Sequence, residues 1–355
     1  MLAGAALVSV VLARYGDRIG RRNAYRTLLV GMGLAGTVFA LTHSLPVLIV
    51  AALTGTVSTD IVESGPFTSL EQAMLPHAAA GSDTTGLFGT YNTIATAAGS
   101  LGALTAFFAA SRLWLLAYPI AAAFALVAAA RISSAVEIGR VHHEGPRPAL
   151  HRSKGIVVRL SALFSLDSFG GGFVIQSFIA YWFALKFGTS HQTLAIVFLV
   201  IGFLQAASFQ IAVRLSGRIG LLRTMVFTHL PSNVLLAAIA FAPTFGVALG
   251  LLLGRYALSQ MDVPARQAYV AAVVDPSERT AAAAYTNTAR YITRPVAPLL
   301  GGAALTVALG APFVIAGALK SIYDVAFYSF FRNVNVEGER PSTTESRRPR
   351  CRGSR

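Results

Sequence analysis

Asp60, Glu63 and Glu71 stand at i, i+3 and i+11 in and just beyond one apolar stretch, and Arg255, Asp262 and Arg266 stand at i, i+7 and i+11 in another. Each spacing puts its set on one face of a helix. An ionisable group in hydrocarbon costs at least about 2.5 kcal/mol, so a face of this kind turns toward a partner, a wet cavity or a solute. The chemistry open to these groups is proton exchange, ion pairing and recognition of polar molecules. Asp60, Glu63, Arg255 and Asp262 are expected to handle substrate or protons. Asp60 lies 195 residues before Arg255, and Glu71 lies 195 before Arg266, so equivalent positions carry opposite charge.

Asp167 precedes Gly170-Gly171-Gly172 in a further apolar stretch. Weak helix propensity there allows a bend and a close approach of backbone. The Asp167 carboxylate is placed either to exchange a proton with a gradient or to cap the bent helix. Gln176, further along, offers a neutral hydrogen-bonding group. Arg290 and Arg294 are four residues apart, as are Lys320 and Asp324, and these four read as a structural salt-bridge cluster. The chain lacks Gly-x-x-x-x-Gly-Lys-Ser/Thr, His-Glu-x-x-His, Gly-x-Ser-x-Gly and any Cys/His cluster, so neither an ATP-driven pump nor an enzyme is expected. No metal site and no cofactor is expected. The single cysteine, Cys351, excludes an intrachain disulfide framework.

The elements that must hold these groups are membrane spans. Charged residues make up 12% of the chain and hydrophobic residues 54%, against roughly 25% charged in soluble domains. About 20 apolar residues cross the hydrocarbon layer. On that measure spans are predicted at 1–13, 25–43, 45–64, 87–110, 113–130, 157–185, 193–213, 224–243, 246–272, 283–308 and 311–331. Twenty-two of the 29 basic residues fall in 14–26, 131–159, 214–223, Arg279 and 332–355, while the alternate loops hold only Arg112 and Lys186. Even numbers of spans separate the basic segments, which places them together in the cytoplasm under the positive-inside rule. The net charge of +14 is spread over loops between spans, so it points to membrane topology and to no nucleic-acid partner.

Two repeats divide the chain. Arg18-Ile19-Gly20 returns as Arg218-Ile219-Gly220 at an offset of 200. Glu71-Gln72-Ala73, Ser82-Asp83-Thr84-Thr85 and Asn92-Thr93 return as Arg266-Gln267-Ala268, Ser277-Glu278-Arg279-Thr280 and Asn287-Thr288 at an offset of 195. Parallel repeats of several helices are the plan of one large class of secondary transporters. The organisation expected is an N-terminal bundle over 1–130, a cytoplasmic linker over 131–156 carrying His142 and His143, a C-terminal bundle over 157–331 and a disordered basic cytoplasmic tail over 332–355. The offset of 200 gives the span at 157–185 a counterpart upstream of Met1, and thirteen residues reach only roughly 20 Å, so a first helix is expected to be missing.

Ala13-Arg14-Tyr15-Gly16-Asp17-Arg18-Ile19-Gly20-Arg21-Arg22 resembles the signature loop between the second and third helices of the major facilitator superfamily. It holds the family's Asp-Arg-x-Gly-Arg-Arg core, with Ala13 where a glycine is usual. Ser216-Gly217-Arg218-Ile219-Gly220 is a degenerate second copy without the aspartate. The resemblance implies an all-α polytopic fold of two pseudo-symmetric helical bundles, here with helices two to twelve. It also implies a gating loop of Gly16, Asp17, Arg18, Gly20, Arg21, Arg22, Arg218 and Gly220, in which Asp17 makes the gating contact and Arg21 and Arg22 set topology. The helices carrying Glu71 and Arg266 face each other across the cavity in that family, so these two are expected to pair, as a gate or as a static ion pair.

The function expected is secondary active transport of small organic solutes, as proton-coupled efflux by alternating access. Uptake by the same mechanism and a truncated, non-transporting membrane protein are the alternatives. The partners expected are a small-molecule solute, protons and the lipid bilayer, for a monomer in a bacterial inner membrane with a cytoplasmic C-terminus.

Overall fold

The computed structural model describes residues 4, 5, 7–9, 11, 12, 20–57, 66–78, 84–108, 115–131, 150–275 and 278–334. Gly16, Asp17, Arg18, Asp60, Glu63, His142, His143 and Cys351 lie outside them. Among the described residues no strand occurs, and the helices form two bundles. The first contains α1 (Arg21–Leu41), α2 (Leu45–Leu53), α3 (Pro66–Ala78), α4 (Thr84–Phe108) and α5 (Ala117–Ala130). The second contains α6 (Lys154–Gly172), α7 (Gln176–Phe187), α8 (His191–Ile219), α9 (Leu221–Ile239), α10 (Phe245–Ser259), α11 (Asp262–Val273), α12 (Arg279–Thr293), α13 (Ala297–Val307) and α14 (Ala311–Phe331).

Among the described residues, length and composition suit four stretches to crossing a bilayer: Arg21–Leu41, Lys154–Phe187, His191–Ile219 and Ala311–Phe331. Other predicted spans are interrupted near their middle, as where α10 gives way to α11 and α12 to α13. Hydropathy ends the third span at 64, yet Pro66–Ala78 is helical as α3, with Glu71 held by tyrosine hydroxyls. Local sequence sets several ends. Ser190 accepts the Thr193 amide to start α8, Thr244 accepts that of Val247 to start α10, and Gly188 closes α7 in the left-handed region at φ 65°.

The glycines that close the two Arg-Ile-Gly copies have one backbone form. Gly20 (φ 87°, ψ 133°) and Gly220 (φ 88°, ψ 162°) each precede a helix and accept its first amide, from Ala24 at 2.9 Å and from Thr224 at 3.1 Å. An L side chain at such angles costs about 1–3 kcal/mol. Arg218 is exposed, whereas Arg21 is only 2% exposed, so Arg21 is packed into the protein rather than serving only as a surface charge.

Large apolar side chains such as Leu34, Phe124, Phe241, Leu299 and Val307 point outward, as hydrocarbon requires, while the cores sit between helices. In the second bundle one core gathers Trp182, Phe183, Leu236 and Phe313, and another gathers Phe164, Tyr269, Phe327 and Phe331. The bundles meet where α4 lies along α8 and against α11, and where α3 meets α12. Asn92 Nδ2 donates to Gln267 Oε1 at 2.9 Å, and Gln210 Nε2 donates to Thr93 Oγ1 at 2.9 Å across this seam. Asn92, Thr93 and Gln267 all belong to the longer repeat.

The chain entering α6 is tied to the loop between α11 and α12. Glu278 accepts the backbone amides of His151, Arg152 and Ser153 at 2.6, 3.0 and 2.9 Å. Ser153 Oγ accepts the Asp275 amide, and Arg152 pairs with Asp275 at 3.3 Å. Three amides aimed at one carboxylate hold its pKa down at about 2. A depressed carboxylate stabilises the fold above its unfolded pKa of about 4.3, and that contribution is lost as pH falls through about 2. Glu278→Gln is therefore expected to lower the Tm of the detergent-purified protein at neutral pH, with the gap to the parent closing as pH drops from about 4 toward 2. Parallel melting curves over that range check it.

Candidate functional site

Three interrupted helices surround a cavity of about 660 Å³. The first interruption lies at Phe173 to Ile175, between α6 and α7, immediately after the predicted triple glycine. The second lies at Gln260 and Met261, and the third at Arg294 to Val296, around Pro295. Broken backbone is tolerated at membrane depth where it lines a cavity. Here Val174, Ile175, Gln260 and Arg294, from the three breaks, all line it. Gly172 permits the close packing of α6 on α13, since a Cβ there would lie 2.5 Å from the Ala297 Cβ. The first bundle contributes Ser100, whose hydroxyl is held by the Thr96 carbonyl at 2.7 Å.

Asp167, 3% exposed, is the hub of the cavity wall. Its Oδ1 accepts from Lys320 Nζ of α14, with His229 Nε2 of α9 at 3.8 Å. Its Oδ2 faces Arg266 Nη1 of α11 at 3.5 Å and Arg290 Nη2 of α12 at 3.9 Å. Arg266 also pairs with Asp262, one turn before it, at 3.1 Å. His229 Nδ1 donates to Asp324 Oδ1 at 2.8 Å, and Asn233 Nδ2 donates to Asp324 Oδ2 at 2.8 Å. A continuous chain of ionisable groups thus runs from Asp324 through His229 to Asp167, and His229, Asp167 and Lys320 reach the cavity surface.

Of the residues singled out from sequence, Asp167, Gln176, Arg255, Asp262, Arg266, Arg290, Arg294 and Lys320 line this one cavity. One expectation needs correction. Glu71 does not pair with Arg266: its oxygens accept from Tyr25 at 2.8 Å and from Tyr91, both in its own bundle, while Arg266 turns to Asp262 and Asp167. Neutral phenols satisfy the Glu71 carboxylate where it stands, so it has no need of a guanidinium across the seam. Of the four residues read as a salt-bridge cluster, Lys320 reaches Asp167 and Asp324 reaches His229, each on another helix. Asp60 and Glu63 lie outside the described residues, as do Gly16, Asp17 and Arg18.

His229 and Asn233 escaped the sequence reading. Their signal was present: two polar residues four apart on one face of an otherwise apolar span, one of them ionisable. Tyr25 and Tyr91 carried none, since a tyrosine in a span is ordinarily an apolar body with a polar tip.

Removing one member of a buried ion cluster leaves its partners uncompensated, at about 3–5 kcal/mol. Asp167→Asn should lower the unfolding free energy by about that much. Adding Lys320→Met should restore part of the loss, so that the double variant is more stable than the two single effects predict. A double-mutant cycle of thermal unfolding in detergent measures it.

Comparison with known proteins completes the site's context. The family model described as Major Facilitator Superfamily matches residues 1–254. "Uncharacterized membrane protein YJR124C" of Saccharomyces cerevisiae is 24% identical over 385 residues, covering 95% of this chain and 85% of that protein. The crystal structure of the human organic anion transporter MFSD10 (TETRAN) superposes with a TM-score of 0.70 at 17% identity, over 92% of this chain and 81% of that one. The proton:xylose symporter XylE bound to 6-bromo-6-deoxy-D-glucose superposes with a TM-score of 0.73 at 15% identity, over 93% and 84%. At those identities the two structures speak for the fold, and the family match covers well over half of the chain. The chain belongs to the Major Facilitator Superfamily and is a multi-pass membrane protein of the transporter class.

Proposed function

We propose that the protein is a secondary transporter that carries a small organic solute through this cavity by alternating access, with protons as the coupling ion. The observation that carries the reading is the Asp324, His229, Asp167 chain. It joins groups able to take and release protons to the wall of a cavity sized for a small molecule, for which about 300–1,000 Å³ is usual. Lys320, Arg266 and Arg290 converge on Asp167 from three helices. Protonating one member of such a network changes which pairs are favourable, and so biases the packing of the helices that carry them.

The two solved neighbours carry different cargo, organic anions in MFSD10 and xylose with protons in XylE. Efflux is the direction we adopt, on the family resemblance. The arginine-rich loops support a cytoplasmic position for the basic side and for the C-terminus. A yeast relative removes the support for a bacterial inner membrane.

The full chain reconstituted in liposomes tests this. Counterflow of at least one solute from a panel of anionic, neutral and cationic compounds is expected, and its absence for all of them defeats the transport reading. An acid lumen should drive solute inward if protons leave in exchange, the reaction that becomes efflux in a cell; an alkaline lumen should drive it if the two travel together. His229→Gln should abolish gradient-driven accumulation while counterflow persists. Equal gradient response in the parent and the variant would remove His229 from the coupling.

A further inference from the structure

Resting on the transport reading, we propose that the cavity's cargo is an organic anion whose carboxylate or sulfonate is bound by Arg255 and Ser259. Both side chains line the cavity. They lie four residues apart on one face of α10 and are 7% and 6% exposed. Arg255 Nε and Nη1 and Ser259 Oγ have no hydrogen-bond partner among the described residues. Lys320, Arg266 and Arg290, by contrast, each face a carboxylate. The Arg255 guanidinium instead lies over the Tyr256 ring, with Cζ 4.5 Å from its centroid.

A buried guanidinium with idle donors is an unfavourable resting state that an anionic ligand relieves. Its planar fork matches the two oxygens of a carboxylate or sulfonate, and a serine hydroxyl one turn on supplies a further donor. Around it the field has the same sign. The described residues lining the cavity include five cationic side chains (Arg255, Arg266, Arg290, Arg294 and Lys320) and two carboxylates (Asp167 and Asp262), before any charge on His229. The first turn of α7, with Gln176 and Ser177 on the cavity, has no side-chain cap, and so adds the positive end of a helix dipole. Val174, Ala180, Phe198 and Ile201 also line the cavity and give an organic body apolar surface to lie against. Arg255 therefore selects the charged head, and the wall accepts a range of bodies.

Equilibrium binding of radiolabelled benzoate to the detergent-purified full chain tests this, with benzenesulfonate, benzyl alcohol and benzylammonium as competitors. Benzenesulfonate is expected to displace benzoate, and the neutral and cationic analogues are not. Arg255→Gln should weaken benzoate binding by about tenfold or more and Ser259→Ala by less, the scale of losing charge-assisted hydrogen bonds. Arg255→Lys should fall between the parent and Arg255→Gln. A merely structural arginine would lower Tm when replaced; here the Tm of Arg255→Gln is expected to equal or exceed that of the parent, since an uncompensated charge is removed. Undetectable benzoate binding overturns the proposal, as does equal binding by the parent and Arg255→Gln, or equal competition by benzyl alcohol. Counterflow in liposomes separates the two readings. Exchange of xylose without Arg255-dependent benzoate binding sinks the anion site and leaves transport standing; Arg255-dependent benzoate binding without exchange of any solute does the reverse.

Discussion

A carboxylate buried among a lysine, two arginines and a histidine is compensated by groups that come from four different helices. Asp167 thus ties α6 to α9, α11, α12 and α14. Hydrocarbon supplies little driving force for one apolar helix to prefer another, so polar contacts of this kind carry much of the specificity of packing. The aromatic cores above and below, around Trp182 and around Phe327, fill the space that the ion cluster leaves. Displacing any one partner leaves charge unbalanced in a medium that cannot solvate it.

That constraint explains where the backbone breaks. A continuous helix would carry its side chains past the cavity at regular intervals, with every backbone group already satisfied. The breaks after Gly172, at Gln260 and at Pro295 redirect three helices around one space and expose backbone and helix ends to it. Glycine at 172 lets α13 pack beside the first break, because the start of α13 occupies the place of any side chain. The cavity is therefore formed by the irregular middles of the spans, at the depth where an ionised group most needs compensation.

The two bundles share a scaffold and divide the chemistry. Gly20 and Gly220 have the same backbone form, and Asn92 meets Gln267 across the seam that both repeats build. The described ionised cluster nevertheless belongs to the second bundle alone, and the first answers with Ser100 at the cavity and with Glu71 held by two phenols. Pseudo-symmetry of fold is set by the packing of small and apolar residues. Among the described residues, charge differs between the halves while the backbone plan is shared.

Much was legible in the chain itself. Apolar runs of span length, arginines confined to alternate loops and two offset repeats were enough for a polytopic helical fold of two related bundles, since lipid admits few other solutions for such a chain. The same cost of charge in hydrocarbon marked seven residues that line the cavity, from Asp167 to Lys320. Periodicity located the faces but not the partners: Glu71 and Arg266 have opposite charge at matching positions, yet each is satisfied inside its own bundle. Which carboxylate meets which cation depends on the rotation of each helix and on where it breaks. Both come from side-chain packing between segments distant in sequence, and so the Asp167 hub, the His229 link and the idle donors of Arg255 and Ser259 belong to the tertiary structure alone.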